Sequence, residues 1–102
     1  MTKLSKAALE KHIRQTARDE TARIIFTIHA NARMRERKIT MPMALDCLRH
    51  GHIRKTPEPN LSKGTTECRM EHYTAGVNIG LVVAVADTDP NLIIVTAMKI
   101  GD

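Results

Sequence analysis

Aromatic residues are almost absent from this sequence of 102 residues, which has no tryptophan, one phenylalanine and one tyrosine. Sheets that recognise single-stranded RNA through aromatic side chains stack several bases on them. The chain lacks the residues for such a platform. If it contacts nucleic acid, charge and hydrogen bonding must supply the contacts.

Cysteine and long apolar runs are also scarce. Two cysteines, Cys47 and Cys68, are too few for a disulfide framework. The first residues lack the apolar segment of a signal peptide, and no apolar run approaches the ~18 residues of a membrane span. These absences predict a soluble cytoplasmic protein that does not contact a membrane.

Motifs for nucleotide triphosphates and metals are missing as well. The five glycines are scattered and form no Walker or dinucleotide-binding loop. Cys68 and His72 share a predicted strand face but lie roughly 13 Å apart, and His50 and His52 straddle a helix end. Cys47 lies within a predicted helix among Leu45 and Leu48, and Cys68 alternates with Met70 on a predicted strand, so both are interpreted as packing residues. We therefore expect no metal and no other cofactor.

Basic residues are concentrated in the first part of the chain. Residues 1–39 hold ten Lys and Arg against four Asp and Glu, whereas residues 40–102 hold six against seven. Clustered positive charge attracts polyanions through long-range, salt-sensitive forces, so a nucleic acid or an acidic protein is the first partner class. The alternative is a basic face that serves only solubility.

Three helices are predicted in the first half of the chain. Residues 4–18 carry an apolar stripe, with Ser5 or Thr2 as the N-cap. Thr27 caps a second helix through Ile39. Thr40, with a proline at position 42, opens a third helix that Gly51 terminates.

Strands dominate the second half. The sequence predicts a short entry strand at 23–27, an edge strand at 52–56, strands at 66–74, 77–86 and 92–100, and a turn at 87–91. This order indicates an α+β fold, with two or three N-terminal helices packed on an antiparallel sheet of three to five strands. We expect a helical extension over 1–22 and a single α+β domain over 23–102.

The second helix carries the residues that point to a reaction. His29, Arg33 and Arg37 recur every four residues and line up on one side of the helix, beside the apolar Ala30 and Met34. Metal-free RNA cleavage needs proton transfer and cations that stabilise the phosphorane, and histidine and arginine supply both. The alternative is a histidine satisfied by a cap hydrogen bond, with arginines paired to Glu36.

The same segment resembles a known family. Thr27-Ile28-His29-Ala30, Arg33-Met34, Glu36-Arg37 and Ile39 resemble the opening motif T-x-H-A, R-M, E-R-x-I of the bacterial family catalogued as domain of unknown function 4258. Gly51-His52-Ile53, Glu67-Cys68-Arg69-Met70 and Val95-Thr96 resemble its later segments. The resemblance covers about residues 24–98.

That family is itself similar, in the order of its elements, to RelE/barnase-like ribonucleases found as toxins. The similarity implies helices packed on an antiparallel sheet, with RNA in the concave sheet face. It implies that His29 is the acid/base, that Arg33 and Arg37 clamp phosphate, and that Thr96 supplies an orienting hydroxyl. Strand alternation adds Arg69 and Tyr73 as RNA contacts, and Arg35 and Lys38 of the basic helix complete the set.

Two functions are therefore carried forward. The first is a small, toxin-like RNase that cleaves RNA through attack by the 2′-hydroxyl, without a metal, and has an antitoxin or immunity protein as partner. The second is a non-catalytic phage, prophage or plasmid accessory protein. It would bind nucleic acid or an acidic protein through its basic N-terminal third, as a monomer or homodimer.

Overall fold

The fold is α+β, as the sequence predicts. A computed structural model describes residues 5–19, 23–86 and 91–101, and within these residues the chain forms three helices and six strands. None of the helices in this part of the chain is both long and apolar enough to cross a membrane. The elements are α1 (Lys6–Arg18), β1 (Ile24–Phe26), α2 (Ile28–Arg37), α3 (Met41–His50), β2 (His52–Ile53), β3 (Glu58–Asn60), β4 (Thr65–Thr74), β5 (Val77–Ala86) and β6 (Leu92–Lys99).

Threonine or serine caps begin all three helices of the described chain. The hydroxyls of Ser5, Thr27 and Thr40 each accept a hydrogen bond from the backbone N–H three residues later in the chain, at 3.1, 3.0 and 3.3 Å. Each hydroxyl satisfies one of the N–H groups that a helix start leaves without a partner. The predicted caps at Thr27 and Thr40 are confirmed, and Ser5 rather than Thr2 caps the first helix.

The sheet has the order β1-β6-β5-β4-β2, and β3 also pairs with β4. Its centre is the β4–β5 hairpin, closed by Ala75 and Gly76, which have φ angles of 51° and 82°. Two consecutive positive φ angles suit the twist of a two-residue hairpin.

Two features of the sheet differ from the prediction. β1 pairs with β6 in parallel, so the sheet is mixed rather than antiparallel. The predicted edge strand at 52–56 is wrong in extent, because the chain leaves the sheet after Ile53 and rejoins it at Glu58. Both short pieces pair with β4, which raises the strand number to six in the described residues. Proline is tolerated in β3 because the strand lies at an edge.

The two faces of the sheet differ in what covers them. Met70, Leu81 and Val83 lie on the face that packs against the helices in one buried cluster, and all three are fully buried. Every sheet residue of that cluster belongs to this face. The opposite face, which includes Arg69, Val82 and Thr96, contributes no residue to the cluster. We call it the open face.

Helix α1 packs into the same core as the rest of the chain. Leu9 and Ile13 are 0% exposed and belong to the buried cluster. The predicted domain boundary at residue 22 and the predicted turn at 87–91, apart from Asn91, lie outside the described residues. α1 is thus an extension in sequence that shares a hydrophobic core with the strands.

A polar ladder on α1 binds the backbone where α3 ends and β2 begins. Its four side chains recur every four residues along one side of the helix, so they reach successive backbone groups of residues 49–54. The ladder consists of Lys6 Nζ donating to Arg54 O at 3.0 Å, Glu10 Oε1 accepting from Ile53 N at 2.8 Å, Arg14 Nε and Nη2 donating to Gly51 O at 3.0 and 2.7 Å, and Arg18 Nη2 donating to Arg49 O at 3.0 Å.

Replacing Arg14 by alanine is expected to lower the free energy of unfolding by about 2 kcal/mol, because the half-buried Gly51 carbonyl loses both donors. Urea unfolding followed by circular dichroism measures the change. Lys11→Ala is the matched control, since Lys11 is exposed on the same helix, and its effect should stay within about 0.5 kcal/mol. Equal losses for the two variants would show that the ladder does not stabilise the fold.

Candidate functional site

Helix α2 is fixed to strand β6 at its N-terminus. The backbone N–H of Thr27 donates to Ile94 O at 3.1 Å, and the Thr27 hydroxyl donates to Val95 O at 3.1 Å. Ala30 and Met34, at 0% and 5% exposure, anchor one side of the helix in the core. These contacts set which side of α2 faces solvent.

The row predicted on α2 lies beside these two anchors. His29 and Arg37 are exposed, and neither side chain has a hydrogen-bond or ion-pair partner within the described residues. Arg33 differs, because its Nη1 lies 2.7 Å from Glu36 Oε1. The alternative of a paired arginine is therefore what the structure shows for Arg33, and the free groups of the row are His29 and Arg37.

Free positive charge gathers at the C-terminal end of α2. Arg35, Arg37 and Lys38 are exposed, and their side chains have no partner in the part of the chain that the structure describes. Lys38 ends the helix in the left-handed region at φ 58°, and its N–H bonds back to the last turn. Clustered unpaired cations create a positive potential that attracts anions.

The predicted sheet residues share the open face. Arg69 is opposite Val82, and Val82 is opposite Thr96, so the three form one row across β4, β5 and β6. Tyr73 is on the same face of β4, 64% exposed, roughly 13 Å along the strand from Arg69. Thr96 follows Val95, the residue bonded to Thr27, so the start of α2 lies at the β6 end of this row. The structure thus fixes the start of α2 to the strand that carries Thr96, while Tyr73 lies beside the β4–β5 turn.

The charge of Arg69 is neutralised by Glu71, which sequence reasoning did not pair with it. Arg69 Nε and Nη2 donate to Glu71 Oε2 at 3.0 and 2.8 Å, and Arg69 Nη1 lies 3.7 Å from Met98 Sδ. Arg54 Nε approaches the other oxygen of Glu71 at 3.6 Å. The alternation of β4 placed Arg69 and Glu71 on one face, and that spacing was the signal for the pair.

A cluster of titratable side chains that sequence reasoning missed lies between α3 and β4. His72 Nε2 is 2.9 Å from Asp46 Oδ2, and His50 Nε2 is 3.9 Å from Asp46 Oδ1. Burial raises the pKa of Asp46, but hydrogen bonds from Thr74 and His72 and the charges of His72 and His50 outweigh it, so the pKa lies below its usual value. Asp46 and His50 are one helical turn apart, which was the only local signal.

The two cysteines are packing residues, as predicted. Cys47 and Cys68 are 0% and 4% exposed. Burial raises the pKa of each thiol to about 12, so neither forms a thiolate near neutral pH. Over the described ranges, no group of three His, Cys, Asp or Glu side chains is arranged to hold a metal ion.

One comparison with known proteins gives a match. Residues 26–99 match the family model described as Domain of unknown function (DUF4258). The matched range begins at the last residue of β1, ends at the last residue of β6, and excludes α1. The chain matches no curated protein and no solved structure. The matched range contains α2 and the open face.

Proposed function

Since this chain belongs to the family described as Domain of unknown function (DUF4258), we propose its function from its own site: metal-independent cleavage of RNA by a small RNase-like protein. One observation carries the proposal. The hydrogen bond from Thr27 to Val95 fixes the start of α2, two residues before the unpaired His29, to the strand that carries Thr96.

The reaction needs one group that transfers protons and groups that stabilise the phosphate. His29 takes the proton of a ribose 2′-hydroxyl, the 2′-oxygen forms a bond to the adjacent phosphorus, and the bond to the 5′-oxygen breaks. The imidazolium of His29 then returns the proton to the leaving 5′-oxygen, and a 2′,3′-cyclic phosphate remains. Arg33, one helical turn from His29, stabilises charge on these phosphate oxygens once RNA displaces Glu36, Arg37 binds a neighbouring phosphate, and the Thr96 hydroxyl orients the reacting group.

The RNA strand needs a path to this centre. Arg35 and Lys38 bind its phosphates at the far end of α2, ~12 Å from His29 at the usual helical rise. Arg69 and Tyr73 contact it on the open face, and Arg33 contributes when RNA displaces Glu36. Cytoplasmic RNA is the substrate class, and an antitoxin or immunity protein would inhibit the enzyme by covering α2 and the open face. The chain works as a monomer or a homodimer.

A second function is favoured by the ion pairs. Arg33 and Arg69 are each bound to a carboxylate, Glu36 and Glu71, so few free cations lie near His29 to stabilise a phosphorane. A protein that binds nucleic acid or an acidic partner without cleavage needs only the free cations of α2. Such a protein would act as a phage, prophage or plasmid accessory factor.

An RNA cleavage assay in EDTA separates the two functions. We expect a fluorescent single-stranded RNA to yield a 2′,3′-cyclic phosphate end, while a substrate with 2′-deoxyribose at the cleaved position stays intact. No cleavage at any protein concentration, with retained RNA binding, would leave the binding function.

Salt titration of RNA binding is the companion measurement. The double variant Arg35→Gln, Arg37→Gln should reduce the slope of log K against log salt by about 1.4, since each phosphate contact to a single strand contributes about 0.7. Lys11→Ala is the control, because Lys11 is exposed on α1 rather than α2. An unchanged slope in the double variant would contradict both functions at this surface.

A further inference from the structure

Asp46 and His50 of the titratable cluster line a groove between α3 and the β4–β5 turn, and His72 is bonded to Asp46. The groove has a volume of about 590 Å³. Its apolar side is formed by Pro42, Met43 and Leu45. Ligand sites in proteins are concave, of several hundred Å³, and combine apolar walls with a few convergent polar groups. The size and lining of the groove meet this description.

The hydrogen bonds of the cluster fix where its charges point. Asp46 accepts from His72 Nε2 at 2.9 Å and from the Thr74 hydroxyl, so its carboxylate is already satisfied by groups of the protein. Arg18 Nη2 lies 3.4 Å from His50 Nδ1. A guanidinium only donates, so the neutral His50 ring carries its proton on Nε2, which faces Asp46. Asp46 therefore binds His72 directly, whereas the Nε2–H of His50 is 3.9 Å from Asp46 Oδ1, beyond hydrogen-bond distance, and can donate to a ligand.

The remaining polar groups of the groove are donors. Arg49 lines it and uses Nε to bind Ala17 O at 3.1 Å, which leaves its two Nη groups available. His50 is half-exposed, at 54% of its side chain. Guanidinium and imidazole N–H groups that converge beside an apolar wall suit a compact anion attached to an organic group.

We propose that this groove binds a phosphomonoester, with the phosphate on Arg49 and His50 and the organic group against Met43 and Leu45. The site lies outside the surface assigned to RNA cleavage and does not depend on that function. The phosphomonoester comes either from a free nucleotide or from the 5′ end of an RNA.

Calorimetric titration with adenosine 5′-monophosphate tests the proposal, with NMR of the histidine side chains to locate the ligand. We expect saturable binding and shifts of the His50 and His72 signals. Adenosine, which lacks the phosphate, should bind at least tenfold more weakly. Oligoribonucleotides with a 5′-phosphate or a 5′-hydroxyl separate the two sources of the ligand.

His50→Gln should weaken nucleotide binding about tenfold while RNA cleavage stays unchanged, because its side chain is half-exposed and lies outside α2. His72→Gln gives a second variant, and His12→Gln, a histidine of α1, is the matched control. Absence of binding at millimolar nucleotide, equal binding of adenosine, or shifts confined to α2 would overturn the proposal, whatever the RNA assay shows.

Discussion

Replacing Gly51 by alanine is expected to lower the free energy of unfolding by about 3 kcal/mol, although a single methyl group is added. A Cβ at this position would lie 2.4 Å from the backbone oxygen of Cys47 and 2.9 Å from that of Glu71. Both atoms belong to backbone in regular elements, one in α3 and one in β4, so neither can rotate away. In a domain of this size the midpoint of thermal unfolding should fall by roughly 12–24 °C.

Gly101→Ala is the matched control for this experiment. A Cβ at Gly101 meets no heavy atom within 4 Å, so the same chemical change should leave the unfolding temperature nearly unaltered. Thermal unfolding followed by circular dichroism compares both variants with the parent chain. If Gly51→Ala unfolds at the parent temperature, the close approach of α3 to β4 described above is wrong.

Gly51 also shows what a sequence pattern contains and what it leaves out. The pattern predicts that this glycine terminates α3, and the helix does end at His50. The usual reason is a left-handed backbone, but φ at Gly51 is −76°, which any residue can adopt. The physical reason is that β4 leaves no room for a Cβ at this position. Because Glu71 of β4 lies twenty residues further along the chain, the sequence around Gly51 does not reveal this contact.

The elements that were predicted best are those fixed by neighbours in sequence. The caps at Thr27 and Thr40 and the strand Val77–Ala86 follow from side chains within a few residues of each other. The parallel pairing of β1 with β6 and the division of 52–60 into two strands depend on distant partners. Such pairings are set by tertiary packing, and period-2 alternation does not encode them.

The same distinction holds for the basic N-terminal third. From the sequence alone, this charge was interpreted as one surface that binds a polyanion. In the structure Lys6, Arg14 and Arg18 donate to the backbone of residues 49–54, and Arg33 pairs with Glu36. The free cations that remain on α2 are Arg35, Arg37 and Lys38 among the described residues. The fold thus uses part of this positive charge in structural hydrogen bonds and ion pairs, and three of the cations left free in the described residues lie together at the C-terminal end of α2.

Replacing His29 by alanine is expected to lower kcat for RNA cleavage by about 10²–10⁴-fold, the usual contribution of a positioned acid/base. KM should change little, because Arg35, Arg37 and Lys38 still hold the phosphates. His29 is exposed, so the free energy of unfolding should stay within about 0.5 kcal/mol of the parent value. Single-turnover cleavage of a labelled RNA in EDTA measures the rate, and urea unfolding confirms that the variant is folded.

His50→Gln is the control for this variant, since it changes an imidazole that lies in the groove beside α3. If His29→Ala cleaves RNA at the parent rate while His50→Gln is slow, the reaction occurs in that groove, and α2 serves only to bind RNA. If both variants keep the parent rate, no proton transfer by either imidazole limits cleavage. A loss confined to His29→Ala is the result expected if His29 is the acid/base, because the bond between Thr27 and Val95 ties the start of α2 to the strand that carries Thr96.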